Sequence, residues 1–267
     1  MNKTIVQGII LIFSFFSTWF LLQEVNWMSL FQVKQSTEKL EQKLGELCLD
    51  VFKAADQEND NPFLINTIDS IVTRICSENK IERDKIKVHV INKDDVNAFA
   101  LPDGHLVIYT GLISASANPE ELSGVISHEI AHIELNHVME KLLKEVGLSV
   151  LVSMTTGNNN PEIIKETAKT LSSSAFDRNI EKEADIQAVD YLIKANINPK
   201  PFANFLYKLS LREGEASKYL SWISTHPNSK ERAEYIIERC KNRTLKNKSI
   251  VAAKTWEKFL DEAQSVK

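Results

Sequence analysis

The sequence predicts an α+β fold, mostly helical, with one small antiparallel sheet behind a single N-terminal membrane-spanning helix. Three observations carry this. Apolar residues recur at helical spacing over most of the chain, strand-forming residues cluster between positions 85 and 109, and a long charge-free apolar run opens the sequence. With 43% hydrophobic and 25% charged residues among 267, the composition is globular and leaves room for one sizeable core. Thirty-two basic against 36 acidic residues give a net charge of -4. No global positive field exists to hold a polyanion, so nucleic acid is excluded as the main partner. Eight glycines, seven prolines and no repeating period exclude fibrous and repeat architectures.

Residues 4–23 carry no charge and are rich in Ile, Leu, Phe and Trp. Twenty helical residues span about 30 Å, the thickness of a bilayer's hydrocarbon core. A cleaved signal peptide has a shorter apolar region, of about 7 to 15 residues, and a small-x-small site. This run ends instead in Phe20-Leu21-Leu22-Gln23-Glu24. A retained anchor over residues 1–30 is therefore expected, with Trp19 and Trp27 suited to the interface. Lys3 is the one charge before the run, which places the N-terminus in the cytoplasm. Residues 31–267 then form a domain in the periplasm or cell envelope, a cytoplasm-facing domain being the alternative. Cys48, Cys76 and Cys240 are too few and too scattered for a disulfide framework, and are read as buried free thiols. Outside the cytoplasm, Cys48 and Cys76 would be the pair to join.

From 34 to 80 the pattern is amphipathic and helical, with Leu40, Leu44, Leu47 and Val51 on one face and a break at Asn61-Pro62. Residues 85–91 alternate as a strand, followed by Ala98-Phe99-Ala100 and Leu106-Val107-Ile108-Tyr109. Leu101-Pro102-Asp103-Gly104 joins the last two as a tight turn, in which Gly accepts a positive φ. Asn118-Pro119-Glu120-Glu121 starts a helix expected to run to about 145 and stop at Gly147: Asn caps, Pro fits the first turn, and the acids face the positive end of the dipole. The stretch 148–154 is apolar but too short to cross a membrane. Further helices are expected at about 161–173, 177–195, 200–212, 228–240 and 250–264.

Chemistry concentrates in His128-Glu129-Ile130-Ala131-His132. Histidines at i and i+4 lie about 40° apart around a helix and one turn along it, so both imidazoles reach one ion. Glu129, beside the first ligand, can take a proton from water at the ion's open position. Two surface histidines on an amphipathic helix are the alternative, but Val125, Ile126, Ile130 and Ile133 argue for a buried helix. Zinc needs a third protein ligand. The metzincin extension is absent, since Leu135 and Val138 stand where it has Gly and His. His137 is nine residues from His128, half a turn away, and is expected beside the ligands or as a cap. In Arg178-Asn179-Ile180-Glu181-Lys182-Glu183-Ala184-Asp185, Glu181 and Asp185 share a face, so Glu181 can ligate while Asp185 fixes a ligand imidazole. Glu183 sits about 200° from Glu181 and should face away.

The pair of motifs, with Arg-x-x-Glu-x-Glu-Ala-Asp about 50 residues after His-Glu-x-x-His, resembles the zinc metallopeptidases of the HtpX, BepA and CaaX prenyl protease type. Residues 97–104 with Tyr109-Thr110-Gly111-Leu112 resemble that family's strand segment, and Thr225-His226-Pro227 with Arg232 its C-terminal motif. The likeness covers roughly residues 45–245. The chain shows one apolar run where HtpX and the prenyl proteases have several, and no tetratricopeptide pattern of the BepA kind.

The resemblance implies a zincin-like domain binding one Zn2+ per chain through His128, His132 and Glu181. Glu129 is the proton acceptor, with Asp185, His137 and Arg178 supporting the ligands. It implies a zinc endopeptidase acting on unfolded or damaged envelope or membrane proteins in extended form. A zinc-bearing, membrane-tethered chaperone with little proteolysis is the alternative, and an intact Glu129 argues against it. His226 is either a turn residue before a helix or, by the resemblance, a group over the zinc that stabilises an oxyanion or plugs the open position. Leu106, Val107, Ile108 and Tyr109 are expected to form a sheet edge beside the cleft, to which an extended substrate adds as a strand.

Overall fold

A computed structural model describes residues 33–157, 160–212, 219–241 and 249–265, together with Gln7, Phe13 and Ser14. The remainder of the apolar run at 4–23, and with it the expected membrane span, lies outside the described residues. Among the described residues no helix is long and apolar enough to cross a membrane. The described residues from Glu41 on belong to one compact unit.

Helices α1 (Val33–Ala55) and α2 (Pro62–Asn79) are separated at the expected Asn-Pro break. Asn61 Oδ1 accepts from Phe63 N at 2.9 Å, and Pro62 occupies the first helical turn. Three strands follow, β1 (Lys87–Ile91), β2 (Ala98–Leu101) and β3 (His105–Tyr109). They lie in the order β1-β3-β2, with β1 parallel to β3 (His89 opposite Val107) and β2 antiparallel to it (Ala100 opposite Leu106).

The sheet is therefore mixed, not purely antiparallel, and β3 is its centre, not its edge. The cause is the 92–97 connection, which carries the chain from one side of β3 to the other instead of turning straight back. It crosses the end of β3, where Gly111 N donates to Lys93 O at 2.8 Å and Lys93 N donates to Thr110 Oγ1 at 3.0 Å. A Cβ on Gly111 would lie 2.2 Å from Asp94 O, so only glycine lets the crossing pass. Leu106, Val107, Ile108 and Tyr109 are consequently buried with a strand on each side, and none offers a free edge to a substrate. The β2–β3 turn takes positive φ at both Asp103 (60°) and Gly104 (70°).

After a short α3 (Thr110–Ala115), helix α4 (Pro119–Glu134) starts where expected, with Asn118 Oδ1 accepting from Glu121 N at 2.9 Å. It ends earlier than expected. Asn136 adopts the left-handed conformation (φ 59°), which Asn tolerates better than most residues, and the chain restarts as α5 (His137–Glu145). The remaining helices are α6 (Leu148–Thr155), α7 (Pro161–Ser173), α8 (Arg178–Lys194), α9 (Lys200–Ser210), α10 (Leu220–Thr225), α11 (Ser229–Cys240) and α12 (Ala253–Ser265).

Helix α4 is the core helix, with residues 121–132 all buried. It packs against α8, α9 and β2, while α11 packs on α9 and α8. Gly124 permits the α9 contact, since a Cβ there would lie 2.3 Å from Phe202 Cβ. Burying a helix on every face leaves its polar groups dependent on partners from those neighbours. Cys48, Cys76 and Cys240 are buried and free, so Cys48 and Cys76 are not joined. Burial pushes the Cys48 thiol up to about 12 and the Cys76 thiol up to about 11, keeping both protonated.

Candidate metal centre

The polar groups on α4 meet partners from three later helices. His128 and His132 lie one turn apart, with Nε2 atoms 3.0 Å from each other. Glu181, on the first turn of α8, brings Oε1 to 3.4 Å from His132 Nε2. His226, at the C-terminus of α10, brings Nδ1 to 2.9 Å from Glu181 Oε1 and 3.2 Å from His128 Nε2. One donor atom from each of the four residues lies within 4.8 Å of the others, and all four residues are buried. No other such group of donors occurs among the described residues.

The donors fit zinc. Three imidazole nitrogens and one carboxylate oxygen are the N/O set that zinc takes, and buried lone pairs packed this closely call for a cation between them. Beside them, Glu129 Oε1 and His226 Nε2 face each other at 3.4 Å, and neither makes a hydrogen bond.

Glu129 points to the same side, held by β2: Ala100 N donates to its Oε2 at 3.1 Å. Burial, and after it the charge of Glu181, push the Glu129 carboxyl well above the usual range, giving it the proton affinity that a general base needs. Burial would push Glu181 up as well. The Arg232 guanidinium, whose Nη1 is 2.6 Å from Glu181 Oε2, and the neighbouring imidazoles outweigh it and hold Glu181 well below. Two carboxyls in one site are thus driven apart, one toward accepting a proton and one toward staying ionised. Burial lowers His226 to about 4, so it presents a neutral imidazole.

Asp185 accepts Arg232 through both oxygens, accepts Tyr235 Oη, and lies 2.9 Å from His128 Nδ1. Such a carboxylate behind an imidazole fixes the ring and directs its other nitrogen at the metal. His137 Nδ1 lies 3.1 Å from His132 Nδ1 and approaches the second ligand in the same way. Glu183 turns outward, with 63% of its side chain exposed.

Arg178 does not join the site. Its side chain is 68% exposed and reaches Glu231 at 3.7 Å, so at the first residue of α8 it faces solvent. The arginine that serves Glu181 and Asp185 is Arg232, on α11. Its place six residues after His226 was visible in the sequence, but its partners were not. Phe176, Trp222 and Tyr235 also surround the centre unforeseen. Phe176 stacks on His132 at 4.2 Å and Trp222 on His226 at 4.1 Å.

The fold and this centre agree with what the chain is similar to. Residues 64–240 match peptidase family M48. The chain belongs to that family. Its members are zinc-dependent metallopeptidases, and the buried cluster of His128, His132, Glu181 and His226 could hold that metal. Over 152 residues the chain is 30% identical to the mitochondrial metalloendopeptidase OMA1 of Arabidopsis thaliana, covering 57% of this chain and 31% of the relative. Over 168 residues it is 30% identical to metalloprotease LoiP of Escherichia coli, covering 60% and 65%. Over 238 residues it is 23% identical to the beta-barrel assembly-enhancing protease of Escherichia coli, covering 85% and 48%. The chain thus spans from 31% to 65% of the length of these M48 relatives.

Proposed function

We propose that this chain is a zinc endopeptidase in which His128, His132 and Glu181 hold the metal and Glu129 is the general base. The convergence of His128, His132 and Glu181 in one buried cluster, with Glu129 buried beside them, carries the reading. Zinc bound there supplies Lewis acidity, lowering the pKa of water and polarising the scissile carbonyl. Glu129 takes the proton of the attacking water on Oε1, the oxygen left free while Ala100 N holds Oε2, and later passes it to the leaving amine. Asp185 keeps the His128 ring oriented throughout, and Arg232 keeps Glu181 and Asp185 ionised.

The substrates are unfolded or damaged proteins of the envelope or membrane, taken in extended form. The anchor over residues 1–30 holds the catalytic domain, from residue 31 on, at the outer face of the membrane with the N-terminus inside. The charge-free run at 4–23 supports the anchor, and relatives named for mitochondria and for β-barrel assembly support the setting.

The deciding experiment compares zinc content and casein cleavage in the wild type, Glu129→Gln, Glu181→Ala and Glu183→Ala. Glu129→Gln should keep its zinc and lose cleavage, Glu181→Ala should lose zinc, and Glu183→Ala should keep it. Substantial cleavage by clean Glu129→Gln overturns the mechanism, and zinc bound without cleavage in the wild type points to the chaperone reading.

A further inference from the structure

The metal centre is closed. His128, Glu129, His132, Glu181 and His226 are each at most 2% exposed, so no polypeptide carbonyl reaches Glu129 in this conformation. Two aromatic rings cover the imidazoles. Trp222 is part of the main apolar core. Phe176 is not. It sits in the 174–177 segment between α7 and α8, its ring stacked on His132 at 4.2 Å and lying 5.9 Å from His226.

Besides its burial and its stacking on His132, polar contacts hold Phe176 there. Lys141, on α5 one turn after His137, places its ammonium 4.1 Å over the Phe176 ring and donates to Ser174 O. Phe176 N donates to Thr225 O at 3.2 Å, next to His226. A buried lysine ordinarily pairs with a carboxylate. This ammonium is spent on a ring and a carbonyl of one short segment, contacts that water can replace when the segment lifts away. Phe176 lies outside the main apolar cluster to which Trp222 belongs, so opening at Phe176 leaves that cluster intact, whereas displacing Trp222 breaks it.

We propose that Phe176, latched by Lys141, is the gate of this centre: the 174–177 segment swings off His132 and His226 to admit the scissile bond. The gating role rests on the peptidase reading for its purpose, but not for its test. A gate controls how fast small molecules reach the metal without altering how tightly the metal is held. A ring that merely orients His132 would alter affinity instead.

The test is zinc exchange on the zinc-loaded protein, with release to an excess of a chromogenic chelator and uptake by the apoprotein both timed. Phe176→Ala and Lys141→Met should each speed release and uptake by the same factor, about tenfold, as expected for loss of a desolvated cation–π contact. The zinc Kd should then stay within about twofold, since the two rates scale together. Lys141→Arg, which keeps a cation and donors, should behave as the wild type. Casein cleavage should rise in the two opened variants. If Phe176→Ala does not fold, the Lys141→Met and Lys141→Arg pair decides. Unchanged exchange rates, or faster release with unchanged uptake, overturn the gate. Loss of the peptidase reading would show instead as absent cleavage in the wild type, with the exchange result intact.

Discussion

Arg232 grips Asp185 through two hydrogen bonds of 2.8 Å, Nε to Oδ2 and Nη2 to Oδ1. Both residues are buried, and the same guanidinium reaches Glu181. Burial alone would raise the Asp185 carboxyl. Arg232, and next His128, outweigh it and hold the group at about 2. One side chain on α11 therefore sets the charge of Glu181 on α8 and, through Asp185, the orientation of His128 on α4.

Removing that guanidinium should be severe. Arg232→Ala leaves two buried carboxylates without their countercharge, a loss of about 3 to 5 kcal/mol where such pairs are broken. Arg232→Lys should recover only part, because an ammonium cannot make the two-pronged contact. Denaturant titration gives the stability and metal analysis the zinc content, and both should fall in parallel. A variant of near-normal stability would mean that the carboxylates find other partners.

The α4–α9 contact makes a second prediction. In Gly124→Ala the new methyl meets Phe202 Cβ, an atom fixed to its own backbone, so no rotamer change relieves the overlap. The helices must part, at about 1 to 3 kcal/mol. Gly124 is one turn before His128, so the metal ligands should shift with the helix and zinc affinity should drop alongside the melting temperature. A shift in melting temperature with unchanged zinc affinity would show that the strain is absorbed away from the site.

The zinc helix was legible in the sequence because its logic is local. A cap, an i, i+4 pair of imidazoles and an apolar surround all lie within one element, and Glu181 with Asp185 repeats that logic on α8. The sheet was not, because strand order depended on where the 92–97 connection runs, and the one local sign was a glycine at 111. The helix predicted through to 145 breaks at Asn136, a single left-handed residue that periodicity does not register. Arg178 and Arg232 show the same limit for side chains: the arginine adjacent in sequence points to solvent, and the one 47 residues from Asp185 makes the contact. Proximity across helices is a property of packing.

A histidine pair away from the zinc adds to the acid response that His226 gives in the same range. His89 Nε2 lies 2.9 Å from His105 Nδ1 across β1 and β3, and His89 Nδ1 lies 2.7 Å from Glu58. Burial, and then the neighbouring His89, lower His105 to about 4, well below its value in an unfolded chain. Between about pH 6.5 and 4 the unfolded chain binds a proton that the folded chain refuses, so stability falls as pH falls through this window. The loss attributable to His105 is about 3 kcal/mol at most. His105→Gln should flatten the dependence of unfolding free energy on pH in that range. A slope equal to the wild type would assign the acid response elsewhere.

His226 is the side chain whose two nitrogens face different parts of the chemistry. Nδ1 lies among the donors, 2.9 Å from Glu181 Oε1 and 3.2 Å from His128 Nε2, while Nε2 looks at Glu129. Trp222 stacks on the ring, and His226 N donates to Trp222 O at 2.8 Å, so the imidazole is held in place in this closed conformation. Three protein ligands leave a catalytic zinc one position for water, and a fourth closes it. An imidazole at that position is a plug, and His226→Ala should then raise the rate of casein cleavage while zinc content and melting temperature hold. If His226 instead donates to the oxyanion, the same change should cost about 100-fold or more in rate. The position of Nδ1 among the donors favours the plug, so an increase is the expected result. A decrease at full zinc content would move His226 from blocking the reaction to assisting it.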